Sequence, residues 1–301
     1  MTELVVEIQN LSRQFGSTLA LDDINFRAHK GQVYGLVGAN GAGKTTLIKH
    51  MLGLYRAKSG SVRVFSLDPV QQPVEVLKNI GYLSEDRDIP EWMSIKELMN
   101  YTQAYHRNWD SKYATGLLHN FALDPGKKIK QLSRGMRAQV ALISAVAHRP
   151  ELLILDEPSS GLDAVVRKDI LNAIVRTISE DGRTVIFSSH FLEEVERMSD
   201  QVTMIHQGRI ALEGSLETLT SSHHCTSIRF TDPALAKPAL EDVLSIAGAG
   251  RYWSVIHRSS VEKLGAALSR RGGEIVESRN ASLEEIFVAR VGRVNDEAIT
   301  A

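Results

Sequence analysis

The chain has 301 residues, 43% of them hydrophobic and 24% charged, which is enough apolar material for one large core or two modest ones. Lys and Arg number 35 against 36 Asp and Glu, a formal net charge of −1, so no bulk electrostatic field draws the chain to nucleic acid. One cysteine, Cys225, excludes an internal disulfide and a cysteine-rich zinc site, and a reducing compartment suits the composition.

The first residues, Met1 to Glu7, lack a basic segment followed by a long apolar one, so no signal peptide is expected. No apolar window is long enough to span a bilayer, and any membrane role is expected to run through a partner. Leu4 to Val37 then reads as short strands around Val5, Val6 and Ile8, around Ile24 and Phe26, and over the apolar run Val33 to Val37. Between two of these strands lies Phe15, beside Gly16. It either stacks on a nucleotide base or fills core, and on the residues alone the core reading is preferred.

The run Gly38-Ala39-Asn40-Gly41-Ala42-Gly43-Lys44-Thr45 leads into Thr46, Leu47 and Ile48, in the order strand, glycine loop, helix. Glycines let successive backbone N–H groups converge on phosphate oxygens, and the helix behind adds free N–H groups and its positive dipole end. Lys44 then neutralises β- and γ-phosphates, and the Thr45 hydroxyl can ligate Mg²⁺. Ser61 to Val64 and Ile80 to Ser84 read as further strands, the second ending in Glu85-Asp86-Arg87-Asp88. In open α/β sheets ligands bind at carboxyl ends of strands. Glu85 is therefore either a group that touches a metal or its waters, or a solvated loop charge.

From Ser94 to about His148 the pattern turns helical, with a capping box at Ser94 and Glu97 and an N-cap at Asp110. The aromatic residues Trp92, Tyr101, Tyr105 and Trp109 are expected in its core, a partner-binding face being the alternative. Leu132-Ser133-Arg134-Gly135-Met136 opens the last helix of this segment, and a serine cap followed by glycine leaves N–H groups for an anion, a weak signal by itself. The apolar run Leu152 to Leu155 ends in Asp156-Glu157, as in a strand buried on both faces. Asp156 there can hold Mg²⁺, and Glu157 can polarise the water that attacks a γ-phosphorus. Pro158 stops the strand, and Ser159 to Asp163 turns the chain into another helix, for which a helix cap is the plain reading. Thr184 to Phe187 is a further apolar strand ending in Ser188-Ser189-His190, and beside phosphate His190 can donate to it or hold the attacking water. Val202 to Ala211 reads as a terminal hairpin.

With these motifs in this order, the chain resembles the nucleotide-binding subunits of ATP-binding cassette transporters over roughly residues 1 to 215. The glycine loop, the acidic loop at Glu85, the segment Leu132 to Met136, the strand ending at Asp156-Glu157, and His190 agree with that family in type and order. The resemblance implies that Phe15 stacks on adenine, that Lys44 and Thr46 hold phosphates, and that Thr45 with Asp156 manages Mg²⁺. It implies Glu157 as catalytic base, His190 as sensor of the γ-phosphate, and Asp163 in a turn that couples two protomers. It further implies that Ser133 and Gly135 cap ATP bound to the opposite subunit, so that catalysis needs a head-to-tail dimer. Glu85 stands where the family usually has glutamine, and Arg134 and Met136 depart from the commoner Leu-Ser-Gly-Gly-Gln; both changes resemble bacterial exporter subunits of the ABC-2 type.

From about Leu219 a small unit begins, with strands over Ser227 to Phe230, Trp253 to His257 and Glu274 to Ser278. A helical face carries Val261, Leu264 and Leu268, and a capping box at Ser282 and Glu285 opens a last helix. His223-His224-Cys225 invites a metal reading, but consecutive side chains do not converge on one tetrahedral ion, and a linker is expected there. The expected fold is α/β, a P-loop NTPase core with an N-terminal antiparallel β-subdomain and a helical insertion over about 90–150, all within 1–218. A small α+β domain follows at 219–301. The expected function is ATP hydrolysis, with ATP and Mg²⁺, driving a separate transmembrane permease in export from the cytoplasmic face of the bacterial membrane, through a second nucleotide-binding subunit and with no nucleic acid. A soluble ATPase of the same superfamily in translation or DNA repair is the alternative.

Overall fold

A computed structural model of the chain describes the backbone of residues 3–232, 240 and 243–299, with side chains throughout except at 176–181 and 292–299. The chain starts with β1 (Leu4–Phe15), β2 (Thr18–His29), β3 (Val33–Val37), α1 (Lys44–Met51), β4 (Ser59–Val64), α2 (Pro73–Leu77) and β5 (Ile80–Leu83). Three helices follow, α3 (Ile95–Tyr105), α4 (Ser111–Asn120) and α5 (Arg134–Val146), with a 3₁₀ turn at Ile129–Gln131 before the last. Then come β6 (Leu152–Asp156), α6 (Ala164–Asp181), β7 (Thr184–Ser189), α7 (Leu192–Met198), β8 (Gln201–His206) and β9 (Arg209–Ser215). The chain divides into two compact units, Met1–Ile210 and Ala211–Ala301, and the division falls inside β9.

Five strands of the first unit and β9, in which the division falls, form a sheet in the order β5-β6-β7-β3-β8-β9. From β5 to β8 the pairing is parallel, and β3, β6 and β7 are buried at every position. That is why these strands read as unbroken apolar runs, since helices cover both faces of a parallel sheet. A second, antiparallel sheet has the order β2-β1-β4. Its inward residues alternate along β2 at Ile24, Phe26 and Ala28 and share one core with Leu47, Ile48 and Met51 of α1 and with Leu152, Ile154 and Ile186 of the parallel sheet. Past Ile8 the β1–β2 register slips repeatedly, and Phe15 pairs with Thr18 at the tip of the hairpin. Phe15 is 39% exposed there, which corrects its assignment to the core: the tip extends beyond the layer that Leu11 still fills.

The helical insertion carries its own core, built from Ile95, Leu98 and Met99 of α3, Ala114 and Leu118 of α4, and Val140 and Ile143 of α5. Ser94 and Glu97 form the reciprocal capping box, and the Tyr113 N–H donates to Asp110 at 2.8 Å. Trp109 packs against this core, but Trp92, Tyr101 and Tyr105 are exposed, contrary to expectation. Once Ile95, Leu98 and Met99 face inward, Tyr101 and Tyr105 fall on the far face of α3, where their rings meet edge to face at 5.1 Å.

The second unit continues with α8 (Leu216–Ser221), β10 (His224–Phe230), β11 (Val243–Ala249), β12 (Tyr252–His257), α9 (Val261–Ser269), β13 (Gly273–Asn280) and α10 (Leu283–Ile299). Its four strands form an antiparallel sheet in the order β11-β12-β10-β13. Val243 and Val255 pack with Leu264 and Leu268 of α9, whereas their neighbours Leu244 and Ile256 pack with Ile286 and Ala289 of α10. Successive strand residues point to opposite faces, so the two helices cover the two sides of the sheet. His223-His224-Cys225 is not a linker: His223 is buried with Nδ1 2.7 Å from the Leu219 carbonyl, and the next two residues open β10. Strand β11 escapes the sequence reading because its second half, Ile246-Ala247-Gly248-Ala249, carries one large apolar side chain.

At the head of α10 the Glu285 carboxylate accepts from Arg279 at 2.6 and 2.9 Å and from the Ser282 N–H at 2.8 Å. The Arg279 side chain, ahead of the other causes, holds the Glu285 pKa down at about 2. A depressed carboxylate contributes its stability above the unfolded pKa of about 4.3 and loses it as pH falls toward the folded value. Glu285→Gln is therefore expected to cost about 1 kcal/mol at pH 7, since Arg279 is half-exposed and screened. The cost should vanish between about pH 4 and 2. Urea unfolding of the full chain at pH 7 and pH 2 measures it, and an equal difference at the two would contradict the ionic origin.

Candidate active site

The loop Gly38 to Gly43 joins β3 to α1, and Gly43 stands at the N-cap with φ of 116°. A Cβ there would lie 2.6 Å from the Ala20 carbonyl oxygen, so only glycine lets the loop turn this close to β2. No side chain caps α1 and its first turn carries no acid, so its leading N–H groups, at Lys44, Thr45 and Thr46, present an uncompensated positive end. Ala42 N–H closes the loop by donating to the Ala39 carbonyl at 3.1 Å, leaving Asn40 and Gly41 at its exposed rim. Lys44 bends back over the loop. Its Nζ donates to the Gly38 carbonyl at 2.7 Å and the Ala39 carbonyl at 3.3 Å, and lies 3.1 Å from Glu157 Oε1.

Parallel pairing places the ends of β3, β7 and β6 side by side, with Val37 opposite Ser189 and Asp156 opposite Ser188. The ammonium, the carboxylates and His190, far apart in sequence, meet there. Thr45 Oγ1 donates to Asp156 Oδ1 at 3.2 Å, and Ser188 Oγ donates to the same oxygen at 2.6 Å while accepting the Glu157 N–H at 2.9 Å. His190 Nδ1 lies 2.7 Å from Glu157 Oε2. Glu157 is 3% exposed, and its φ of 48° puts a non-glycine residue in the left-handed region, a strain that marks functional turns.

Burial pushes the Asp156 carboxyl up from its ordinary value, against the hydrogen bonds from Ser188 and Thr45. The Tyr82 phenol on β5 is pushed up to about 12, by burial first and then by Asp156, Asp86, Asp88 and Glu85. The carboxyl end of the sheet thus carries a negative field beside a hydroxyl and a carboxylate, a set of hard oxygen donors suited to Mg²⁺. Next to it, Lys44 and the α1 N-terminus suit phosphate. The residues fit both groups.

The remaining candidates lie outside this cluster. Glu85 is exposed after β5 and lines a cavity of about 540 Å³ with Asp86, Arg87, Asp88, Arg134 and Arg137, among others, rather than meeting Thr45 or Asp156. Ser133 is exposed and accepts the Met136 N–H at 3.2 Å as the cap of α5. Gly135 is buried, and a Cβ there would lie 2.8 Å from a Val166 methyl of α6. Asp163 caps α6, accepting the N–H groups of Val165 and Val166 at 3.0 Å. Phe15 is flanked by Arg13, whose guanidinium sits 4.6 Å from its ring, and by Tyr55 at 5.5 Å. The sequence reading missed Ser188, which ties Asp156 to the Glu157 backbone; a serine pair ending an apolar strand was its only signal.

A model of the ABC transporter family matches residues 21–160. The ABC transporter ATP-binding protein YtrB of Bacillus subtilis (strain 168) is 28% identical over 96% of this chain and 98% of its own length. The Nod factor export ATP-binding protein I of Burkholderia orbicola (strain AU 1054) is 30% identical over 97% of this chain and 99% of its own. The chain belongs to the ABC transporter ATP-binding proteins. A solved ATP-binding subunit of an ABC transporter matches the fold of this ABC protein with a TM-score of 0.66 at 26% identity, over 72% of this chain and 92% of that one. As a member of the family it binds ATP, and it is an ATPase whose hydrolysis is coupled to transport. None of these similarities points to a translation or repair ATPase. Among its described residues no helix is long and apolar enough to cross a membrane.

Proposed function

We propose that this ABC transporter ATP-binding protein hydrolyses ATP between two copies of itself and thereby drives a separate membrane permease in export, at the cytoplasmic face of the bacterial membrane. The observation that carries the reading is the buried Glu157 carboxylate, held between Lys44 and His190 beside the Asp156–Thr45 pair. The export direction rests on the 30% identical Nod factor export protein.

In this reading the N–H groups of the 38–43 loop and of Lys44, Thr45 and Thr46 cradle the phosphates, and Lys44 leaves Glu157 for them. Freed of that ion pair, Glu157 takes the proton of a water whose oxygen attacks the γ-phosphorus in line. The bond to the β-phosphate bridging oxygen breaks, and its electron pair leaves with ADP. Lys44 and the loop N–H groups stabilise the charge spreading over the γ-oxygens. His190 holds the carboxylate and reaches the γ-phosphate. Thr45 and Asp156 would hold Mg²⁺, which supplies positive charge to the β- and γ-phosphates, and Glu85 would reach that ion only through water. The adenine stacks on Phe15 at its exposed hairpin tip. Ser133 and Gly135, which no hydrogen bond or ion pair joins to the cluster among the described residues, serve the ATP of the opposite copy, with Asp163 in the turn between the copies.

Mixing two inactive variants tests the shared site. Lys44→Ala damages one side of it and Ser133→Arg the other, so each protein alone has no whole site. A mixed dimer pairs the intact Lys44 of one copy with the intact Ser133 of the other, and ATPase activity is expected to reappear on mixing. If the mixture stays as inactive as its components, the site lies within one chain and the proposal fails.

A further inference from the structure

Arg87 follows β5 in the loop that carries Glu85, with φ of 52° and only 7% exposure. Its Nη2 donates to the Ser160 carbonyl at 2.8 Å and to the Pro158 carbonyl at 3.3 Å, while its Nε is buried without a hydrogen-bond partner. A guanidinium buried against carbonyls instead of a carboxylate is costly, and its own surroundings disfavour its charge, burial first and the neighbouring Arg134 second. Such a group needs a reason to stay.

The two carbonyls flank Ser159 in the turn that begins at Glu157. Ser160 N–H donates back to the Glu157 carbonyl at 3.1 Å, closing that turn. From the other side Ser159 Oγ donates to Glu194 Oε2 at 2.8 Å, and Ser189 Oγ donates to the same oxygen at 2.9 Å. The turn is thus gripped from the loop after β5 by Arg87 and from α7 by Glu194. What it displays is the one side chain in the cluster whose backbone is left-handed, and a strained residue keeps its geometry only where its surroundings over-determine it.

We propose that Arg87 is a positioning residue for Glu157: by binding the Pro158 and Ser160 carbonyls it fixes the turn that aims the carboxylate at the attacking water. The inference rests on the reading of Glu157 as base. It also makes the loop lining the cavity with Glu85 mechanically continuous with the catalytic turn, since Arg87 belongs to both.

Steady-state ATPase kinetics of the full-length protein test it. Arg87→Met is expected to lower kcat by about 10-fold or more, the scale that small misplacement of a reacting group produces, with KM for ATP changed by less than about 2-fold. Arg87→Lys, whose ammonium reaches one carbonyl, should recover part of the loss. Combined with Glu157→Gln, Arg87→Met should lower the residual rate no further, because a residue that acts through Glu157 has nothing left to position. If Arg87→Met does not fold, Arg87→Gln, whose amide still donates to one carbonyl, takes its place in the same measurements. A wild-type kcat, a KM that rises in step with the loss, or an equal fold-loss on top of Glu157→Gln would each overturn the proposal. An active Glu157→Gln would instead remove the base assignment on which it rests.

Discussion

Replacing Glu157 by glutamine is expected to lower the ATPase rate by about 10²- to 10⁴-fold, the range that a general base contributes, while ATP still binds. The carboxylate is buried, within 3.1 Å of Lys44 and 2.7 Å of His190, so it has the placement and company of a group that accepts a proton in a dry site. Glutamine keeps the shape and can still meet His190, but it cannot take the proton from water. It also releases Lys44 from an ion pair that competes with phosphate, so ATP affinity should be unchanged or higher. Single-turnover hydrolysis and equilibrium binding of a fluorescent ATP analogue separate the two effects. A rate within about 2-fold of wild type would remove Glu157 as base, and a parallel loss of binding would make it a ligand instead.

The second large effect concerns Lys44, whose removal acts on stability as well as on binding. Lys44→Ala takes away the charge-assisted contacts to phosphate, and ATP affinity is expected to fall by about 10- to 100-fold. It also leaves Glu157 buried without its cation, and breaking one half of a buried pair costs about 3–5 kcal/mol. The double variant Lys44→Ala/Glu157→Gln removes the stranded charge. It should regain most of the lost stability and none of the lost binding, as read by urea unfolding and by nucleotide titration. If the double variant is no more stable than Lys44→Ala alone, the ion pair does not carry the energy assigned to it.

The parallel strands were readable because burial on both faces leaves unbroken apolar runs, and the helix starts because Ser94, Asp110 and Ser282 accept the N–H groups that every helix leaves unpaired. Phe15 and Tyr101 were harder, since an aromatic residue reads the same in sequence whether it fills a core or stands on a hairpin tip or an outer helix face. The 223–225 segment was misread because its three polar-looking side chains gave no hint that β10 begins there. Of the site, Lys44, Thr45, Asp156, Glu157 and His190 announced themselves at the ends of strands and in the glycine loop.

Sequence by itself determined which chemical groups this protein carries and on which element each one sits, because a glycine loop before a helix and an acid after an apolar strand are local patterns with local causes. Only the tertiary structure decided which of those groups meet. Parallel pairing of β6, β7 and β3 aligns three strand ends, and so brings Asp156, Ser188 and Thr45 together across more than a hundred residues of chain. The same folding buries Arg87 against the turn after Glu157, while leaving Ser133 at the surface on a helix end of its own. No local pattern encodes those distances, since they follow from the order in which strands pack in the sheet.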